Sequence, residues 1–254
     1  MRIRAALLAV LACATSAADA AGAAPCAFEV QGEGRVASVI DARSLRLADG
    51  REVRLAGIEP VSAEAAKRTA ALSAIVAGHD ITLRADDDAP DRYGRQVAFV
   101  FVAGEEHPVQ AALLAQGEAF AAADIPDKAC AAALLAAESA GRAAKMGIWA
   151  SGSATKNAES TGDILAGNGR FMLVEGRVLS VRQAGATTYL NFGRNWTRDF
   201  AVTISRRMLP SLEAAGMAPK SLENRRIRVR GFIETRTGPR IELLRAGQLE
   251  LLVN

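Results

Sequence analysis

The chain has 254 residues, of which 50% are hydrophobic and 23% charged, and its formal net charge is +3. This composition excludes the disordered and fibrous classes, and the length allows two domains with cores of their own. The charge is uneven, because 15 Lys and Arg oppose seven Asp and Glu from Arg170 onward. A basic C-terminal part favours a polyanionic partner, although solvated arginines on strand faces would give the same count.

The first 20 residues have the pattern of a signal peptide. Arg2 and Arg4 precede an apolar run over residues 5–14, and residues 18–20 have the small-x-small pattern of a cleavage site. The run is too short to span a bilayer, and no other run in the chain is long enough. We therefore predict a signal peptide over residues 1–20, an N-terminal arm over 21–32, no membrane span, and a periplasmic or secreted location.

Export changes the interpretation of the cysteines, because Cys13 leaves with the leader and Cys26 and Cys130 remain. Two cysteines in an oxidising compartment usually pair. Cys26 precedes the first predicted strand, and Cys130 lies at the start of a predicted helix. We predict a disulfide that joins the arm to this helix. Two unrelated thiols are the alternative, and metal binding is disfavoured because no histidine lies nearby.

Residues 34–60 alternate apolar and polar side chains in three short runs, which predicts three strands with one buried face. Asp49 and Gly50 supply the tight turn between the second and third strands. The next predicted elements are a helix over 63–77, strands over 80–84 and 96–102, and two helices that end near Gly117 and Gly147.

Three stretches of this part carry a family resemblance: VIDARSLRLADGREVRLAGIEP from Val39, DRYGR from Asp91 and LLAQG from Leu113. Together they resemble the thermonuclease (staphylococcal nuclease-like) family over residues 33–150. The resemblance implies a mainly β fold with packed helices, of the α+β class, built on a five-stranded OB-fold barrel. It also implies that active relatives hydrolyse DNA and RNA phosphodiesters with a calcium ion.

The resemblance assigns roles to individual residues. Arg54 and Arg95 match the two arginines that neutralise the phosphoryl oxygens in the transition state, which suits the planar guanidinium group. Tyr93 matches a residue that lies against the nucleotide. Glu59 takes the place of the second metal-binding aspartate. Structural ion pairs of the arginines, and simple packing of Tyr93, are the alternatives.

The sequence departs from the family pattern at the metal and at the base. Arg43 stands where the resemblance implies the main metal aspartate, and Ser62 stands where it implies the glutamate base. A positive charge about 5 Å from a divalent cation costs roughly 6 kcal/mol at an effective dielectric near 20. We therefore expect no metal cofactor. Asp41 and Glu59 remain weak candidate ligands, and calcium is expected only if a shifted metal site exists.

Residues 151–169 are predicted to be a linker, because Gly, Ser, Ala, Asn and Thr dominate its first half. Residues 170–254 are predicted to form a second domain with five strands and a helix between the third and fourth. This pattern resembles another OB-like barrel.

The second domain carries two candidate nucleic-acid surfaces. Alternation on the fourth strand predicts that three arginines share one face while Ile227 and Val229 face the core. A loop between strands combines an aromatic side chain with arginines, which suits base stacking beside phosphate contacts, although a buried tryptophan is the alternative. Together with Arg43 and Tyr93, the predicted binding residues are Arg194, Trp196, Arg198, Arg226, Arg228 and Arg230.

Three functions follow from these observations. The favoured one is an exported protein that binds single-stranded DNA, RNA or a related polyanion and retains a degraded phosphodiesterase site. The second is an active endonuclease with a rearranged metal site. The third is an envelope scaffold that uses both barrels for protein contacts. The sequence leaves open whether the protein is an enzyme.

Overall fold

The computed structural model describes residue 26 and residues 28–61, 63–122 and 125–252. The predicted signal peptide, Cys13 and Ser62 lie outside the described residues. Two large hydrophobic cores are present: one is built from residues 26–134, and the other from residues 158–249. We call the part up to Ser151 the first domain and the part from Thr155 the second domain. No helix in the described ranges is long and apolar enough to cross a membrane.

The first domain is a closed barrel with helices packed against it. Its elements in chain order are β1 (Val30–Asp41), β2 (Ser44–Leu47), β3 (Glu52–Leu55), β4 (Ile58–Pro60), α1 (Ala65–Val76), β5 (Asp80–Arg84), β6 (Gln96–Val102), α2 (Val109–Ala115), β7 (Ala119–Ala121) and α3 (Lys128–Ala143), followed by a 3-10 helix over Gly147–Ser151. The barrel closes in the order β1-β2-β3-β6-β5, and β3 runs parallel to β6. Strands β4 and β7 pair separately as a two-stranded ribbon.

The sequence pattern explains the β2–β3 hairpin. Gly50 adopts a positive φ of 91°, and the Asp49 carboxylate accepts a hydrogen bond from the Arg51 backbone N–H at 3.0 Å. Leu45, Leu47, Val53 and Leu55 all lie in the core of the barrel. The intervening polar side chains consequently point away from the core.

The predicted disulfide is confirmed. Cys26 is bonded to Cys130, and both residues are buried. Asp127 caps α3, because its carboxylate accepts a hydrogen bond from the Cys130 backbone N–H at 2.6 Å. The bond therefore fixes the chain segment before β1 to the first turn of α3.

The second domain contains two sheets around the other core. Its elements are β8 (Thr155–Asn157), α4 (Thr161–Leu165), β9 (Phe171–Arg177), β10 (Ser180–Ala184), β11 (Thr187–Asn191), β12 (Ala201–Ser205), α5 (Leu209–Ala214), β13 (Arg226–Phe232), β14 (Glu234–Thr235), β15 (Pro239–Leu243) and β16 (Leu249–Leu251), with short 3-10 helices before α5, β13 and β16. The sheet orders are β10-β11-β12-β15-β14 and β16-β13-β9-β8.

The connections resemble those of an OB fold. The β10-β11-β12 meander is followed by α5, β12 runs parallel to β15, and β13 pairs antiparallel with β9. Helix α5 lies between β12 and β13, and the predicted first strand is divided into β9 and β10. The described strands form two separate sheets, so the OB-like barrel of this domain stays a prediction.

The segment predicted to be a linker is instead part of the second domain. Strand β8 pairs in parallel with β9, and Ala158 and Ile164 are fully buried in the second core. The sequence missed this because two isolated apolar residues among small polar ones produce no period that a pattern search can detect.

Candidate phosphate-binding site

Arg54 lies in the middle of β3, opposite Ser44 of β2 and Val97 of β6. Its neighbours Val53 and Leu55 face the core, so its side chain extends from the outer surface of the barrel. Arg54 is partly exposed, and no ion pair joins its guanidinium to another residue in the part of the chain that the structure describes. The charge of Arg54 is therefore available to an external anion.

Ser44 adds an unused hydroxyl beside Arg54. Its Oγ atom is buried and has no hydrogen-bond partner among the described residues. Residues directly opposite on antiparallel strands present their side chains to the same face. A buried polar atom without a partner is unfavourable, which points to a ligand or water at this place. Sequence reasoning did not select Ser44, because a lone serine in a strand carries no signal.

Arg95 reaches the same region from the loop before β6. It lies two residues before Val97, so the parallel register places it on the Arg54 side of β6. Its Nε and Nη2 atoms donate to Asp91 Oδ2 at 2.9 and 2.7 Å. The hydrogen bond to Asp91 is the main reason why the pKa of Arg95 is raised, and Asp41 contributes a smaller electrostatic effect. Arg95 is thus positively charged and held in place by Asp91, whose negative charge partly compensates that of Arg95.

Tyr93 stands out from this loop with 65% of its surface exposed. The guanidinium groups of Arg92 and Arg95 lie 4.8 and 5.0 Å from its ring centroid. Asp91 Oδ1 also accepts hydrogen bonds from the backbone N–H groups of Tyr93 and Arg95, at 2.8 and 3.1 Å. The loop therefore presents a fixed aromatic ring between two cations, a combination that suits a nucleobase and its phosphates. The sequence did not indicate Arg92.

Arg43 forms an ion pair with Glu59, and each side chain is only 15% exposed. Its Nη1 atom also donates to the Ile58 carbonyl at 3.1 Å, and its backbone N–H donates to Asp41 Oδ1 at 2.8 Å. Arg43 therefore does not point into solvent. A metal at Glu59 would require the Arg43 side chain to point away from it. The guanidinium instead forms an ion pair with the Glu59 carboxylate, which the resemblance assigned to the metal.

The residues do not fit the calcium ion that the family resemblance implies. Glu59 is neutralised by Arg43, and Asp41 is hydrogen-bonded to the Arg43 backbone. No group of three or more His, Cys, Asp or Glu within the described ranges could hold a metal. Hard cations require several oxygen ligands free of competing positive charge.

The second-domain arginines are not a single exposed face. Arg226 is exposed, but Arg228 and Arg230 are buried. The predicted alternation is right, because Ile227 and Val229 lie in the second core. The opposite face of β13, however, packs against the first domain and the end of the chain. Alternation along a strand identifies the two faces but not what covers them.

Arg228 and Arg230 are held by carboxylates. Arg228 donates to Glu175 at 2.6 Å and to Glu250 at 2.8 Å. Arg230 is bidentate to Glu138 of α3 at 3.0 and 2.8 Å, and it also pairs with Glu250. Neither arginine has a free charge for nucleic acid, so the expectation that they bind it is wrong.

The loop with the exposed tryptophan is built differently. Trp196 is 72% exposed, so the alternative that places it in the core is wrong. Asn195 Oδ1 accepts hydrogen bonds from the Thr197 backbone and hydroxyl at 3.1 and 2.6 Å, and Asp199 Oδ2 accepts one from the Asn195 backbone at 2.8 Å. Arg194 and Arg198 are exposed on either side. A structured loop thus presents an indole ring between two cations.

A closed five-stranded barrel with packed helices defines the first domain as an OB-type barrel. Residues 52–151 match the family model described as Staphylococcal nuclease homologue. The chain therefore carries a staphylococcal nuclease-like domain, as its motifs predict. No curated protein matches the chain. A domain of this family points to nuclease chemistry or nucleic-acid binding.

Proposed function

We propose that the protein binds nucleic acid, or a related phosphate polyanion, and does not cleave it efficiently. The observation that carries this proposal is the Arg54 guanidinium, which has no ion pair among the described residues, opposite the Ser44 hydroxyl, which has no hydrogen-bond partner among them. A guanidinium offers two parallel N–H groups to two phosphate oxygens, and charge-assisted hydrogen bonds are about twice as strong as neutral ones.

The neighbouring groups suit the rest of a nucleotide. Tyr93 provides an exposed ring against which a base can pack, and Arg92 and Arg95 add positive potential close to that ring. Arg95 keeps its orientation through Asp91, so little conformational entropy is lost when a phosphate approaches.

Efficient hydrolysis is disfavoured by the Arg43–Glu59 pair. Metal-assisted hydrolysis needs a cation that activates water, and general-base catalysis contributes about 10²–10⁴ in rate. Arg43 takes one carboxylate away from such a site and a serine, Ser62, stands at the position of the base. A phosphate can be held at Arg54 without either requirement.

We also propose that the Arg194–Trp196–Arg198 loop of the second domain contributes to single-strand binding. Its exposed indole and flanking cations support this role, whereas Arg228 and Arg230 do not take part. The proposed location is periplasmic or secreted, on the pattern of residues 1–20.

The test is the binding of a fluorescein-labelled single-stranded DNA oligonucleotide, followed by fluorescence anisotropy over a range of salt concentrations. Arg54→Ala should weaken binding about tenfold and reduce the salt slope by roughly 0.7, the value for one phosphate contact on a single strand. The matched control is Arg35→Ala, which removes one charge from the exposed pair with Asp80. Equal affinities of the two variants would argue against the site and favour the protein-scaffold function.

A further inference from the structure

We propose that Arg230 of the second domain is a positioning residue for the phosphate-binding site of the first domain. It acts through the β4–β7 ribbon, which carries the groups that hold Arg43. The inference rests on the proposed function only for its binding readout, because the mechanical link between Arg230 and the ribbon can be measured without any nucleic acid.

Strand β4 provides both side-chain contacts of Arg43. The Ile58 carbonyl accepts from Arg43 Nη1, and the Glu59 carboxylate forms the ion pair. Within the described residues, β4 pairs only with β7, in the register Ile58 opposite Ala121 and Glu59 opposite Phe120. The backbone of β4 is therefore held by β7, while its Ile58 side chain is buried in the first core.

Strand β7 is held at Ala121 by a buried ion pair. Arg230 Nη1 donates to the Ala121 carbonyl at 2.9 Å, and the Ala121 backbone N–H donates to Glu138 Oε1 at 2.9 Å. Arg230 and Glu138 are bonded to each other, and both side chains are fully buried. Ala121, the residue opposite Ile58, is thus held at both its N–H and its carbonyl group, and one of the two partners belongs to the second domain.

Aromatic packing supports the same connection. Phe120, opposite Glu59, packs against Trp149 and Phe171 with ring centroids 5.6 and 6.3 Å apart. Phe171 begins β9 of the second domain and in turn packs against Phe232 of β13. The second domain therefore contacts Phe120 and Ala121. These two β7 residues lie opposite Glu59 and Ile58, which hold Arg43.

Loss of Arg230 should affect the phosphate-binding site, although Arg230 is not part of that site. The Ala121 carbonyl would lose its donor and Glu138 would keep a buried negative charge without its counterion, which is unfavourable. The ribbon should then open more often, and Arg43, one of the predicted nucleic-acid contacts, should lose its fixed place on Glu59 and the Ile58 carbonyl. Nucleic acid would bind less tightly even though Arg230 itself contacts none of it.

The experiment uses the full chain and the double variant Arg230→Met with Glu138→Gln, which removes both charges and keeps an acceptor for the Ala121 N–H. Hydrogen exchange by mass spectrometry is measured without nucleic acid on peptides covering residues 57–61 and 118–122. Anisotropy with the labelled single-stranded DNA oligonucleotide gives Kd. The control is Arg240→Met, which breaks the pair with Glu234 at the exposed edge of the second domain.

We expect ribbon exchange about tenfold faster in the double variant, no change over β1–β3, and a Kd increased about three- to tenfold. Arg230→Lys keeps a positive charge for Glu138, so its exchange rate and Kd should fall between those of the wild type and the double variant. If the double variant does not fold, Arg230→Lys alone tests the positioning role. Unchanged ribbon exchange, or faster exchange with unchanged Kd, would overturn the positioning role. A wild type that does not bind the oligonucleotide would instead overturn the proposed function, and the exchange result would still decide whether Arg230 holds the ribbon.

Discussion

The Arg43 guanidinium, from the turn between β1 and β2, is paired with the Glu59 carboxylate of β4 and also donates to the Ile58 carbonyl. The chain therefore supplies its own cation where the family resemblance implies a metal. Since Glu59 is already neutralised, a divalent ion would have to displace a bonded guanidinium before it could bind. The proposed phosphate contact at Arg54 therefore does not require a metal at Glu59.

Arg43→Asp should create a calcium-dependent protein. The new carboxylate lies beside Glu59, so the two negative charges should repel and lower the stability of the variant without calcium. Calcium should then raise its melting temperature, by an amount equivalent to about 2.7 kcal/mol when its concentration is 100 times Kd. Differential scanning calorimetry with calcium or chelator measures the effect.

The matched control for this change is Arg46→Asp on the neighbouring strand β2, whose partner is Glu52. It should show no calcium response, and neither should the wild type. Adding Ser62→Glu to Arg43→Asp tests whether slow hydrolysis returns. A wild type that calcium stabilises as much as it stabilises Arg43→Asp would contradict the account of the ion pair.

Trp196→Ala should weaken single-strand binding by about 1–3 kcal/mol, the usual value of one base–aromatic stack. The reason is that Trp196 is exposed on a hydrogen-bonded loop between two arginines. Fluorescence anisotropy with labelled DNA measures the loss. Trp196→Phe keeps an aromatic ring and should lose less. If alanine and the wild type bind equally well, the loop is not part of the binding surface.

The Glu250 carboxylate should make the domain contact sensitive to acid. Burial alone would raise the pKa of Glu250, but Arg230 and Arg228 hold it below its ordinary value of 4.5. A carboxylate with a lowered pKa contributes stability that is present above its unfolded pKa and is lost as the pH falls through the folded pKa. The ion network should therefore weaken below pH 4.5.

Glu250→Gln tests this dependence, because glutamine resembles the protonated acid. At neutral pH the variant should be less stable than the wild type by about 1.5–3 kcal/mol, the range for hydrogen bonds to charged groups. The difference should shrink as the pH falls below the folded pKa. Urea unfolding across the acid range measures it, and a constant difference would show that Glu250 does not titrate as the structure implies.

The double change of Cys26 and Cys130 to serine should lower the free energy of unfolding by about 2–5 kcal/mol. The bond closes a loop with a sequence separation of 104 residues, and both half-cystines are buried. Urea unfolding of the oxidised wild type and of the double variant gives the difference. Thiol titration of the unreduced, unfolded wild type should find neither cysteine free, and two titratable thiols would contradict the bond.

Much of the fold could be predicted because its signals are local. The Asp49–Gly50 turn and the alternation of Leu45, Leu47, Val53 and Leu55 are sufficient to predict the β2–β3 hairpin. The disulfide could be predicted from two cysteines that follow a predicted signal peptide. These features depend on neighbouring residues or on the compartment, and not on long-range packing.

The candidate site could be predicted only in part, because pairing partners are distant in sequence. Arg43 and Glu59 come together only when β4 folds back on the end of β1, and neither residue's pattern reveals this. One signal for the domain contact was present: Glu138 is the single charged residue on the buried face of α3, next to Leu134. A buried carboxylate requires a cation, and Arg230 of the second domain provides it.

The central claim is that the wild-type protein holds nucleic acid without calcium and does not cleave it. Its most direct test incubates full-length protein with end-labelled single-stranded DNA and RNA, with calcium or with chelator, and measures both retention and fragments. We predict equal retention under both conditions, loss of retention at high salt, and no fragments. Calcium-dependent digestion by the pure wild type, abolished by Arg54→Ala, would contradict the claim and establish a nuclease with a rearranged metal site.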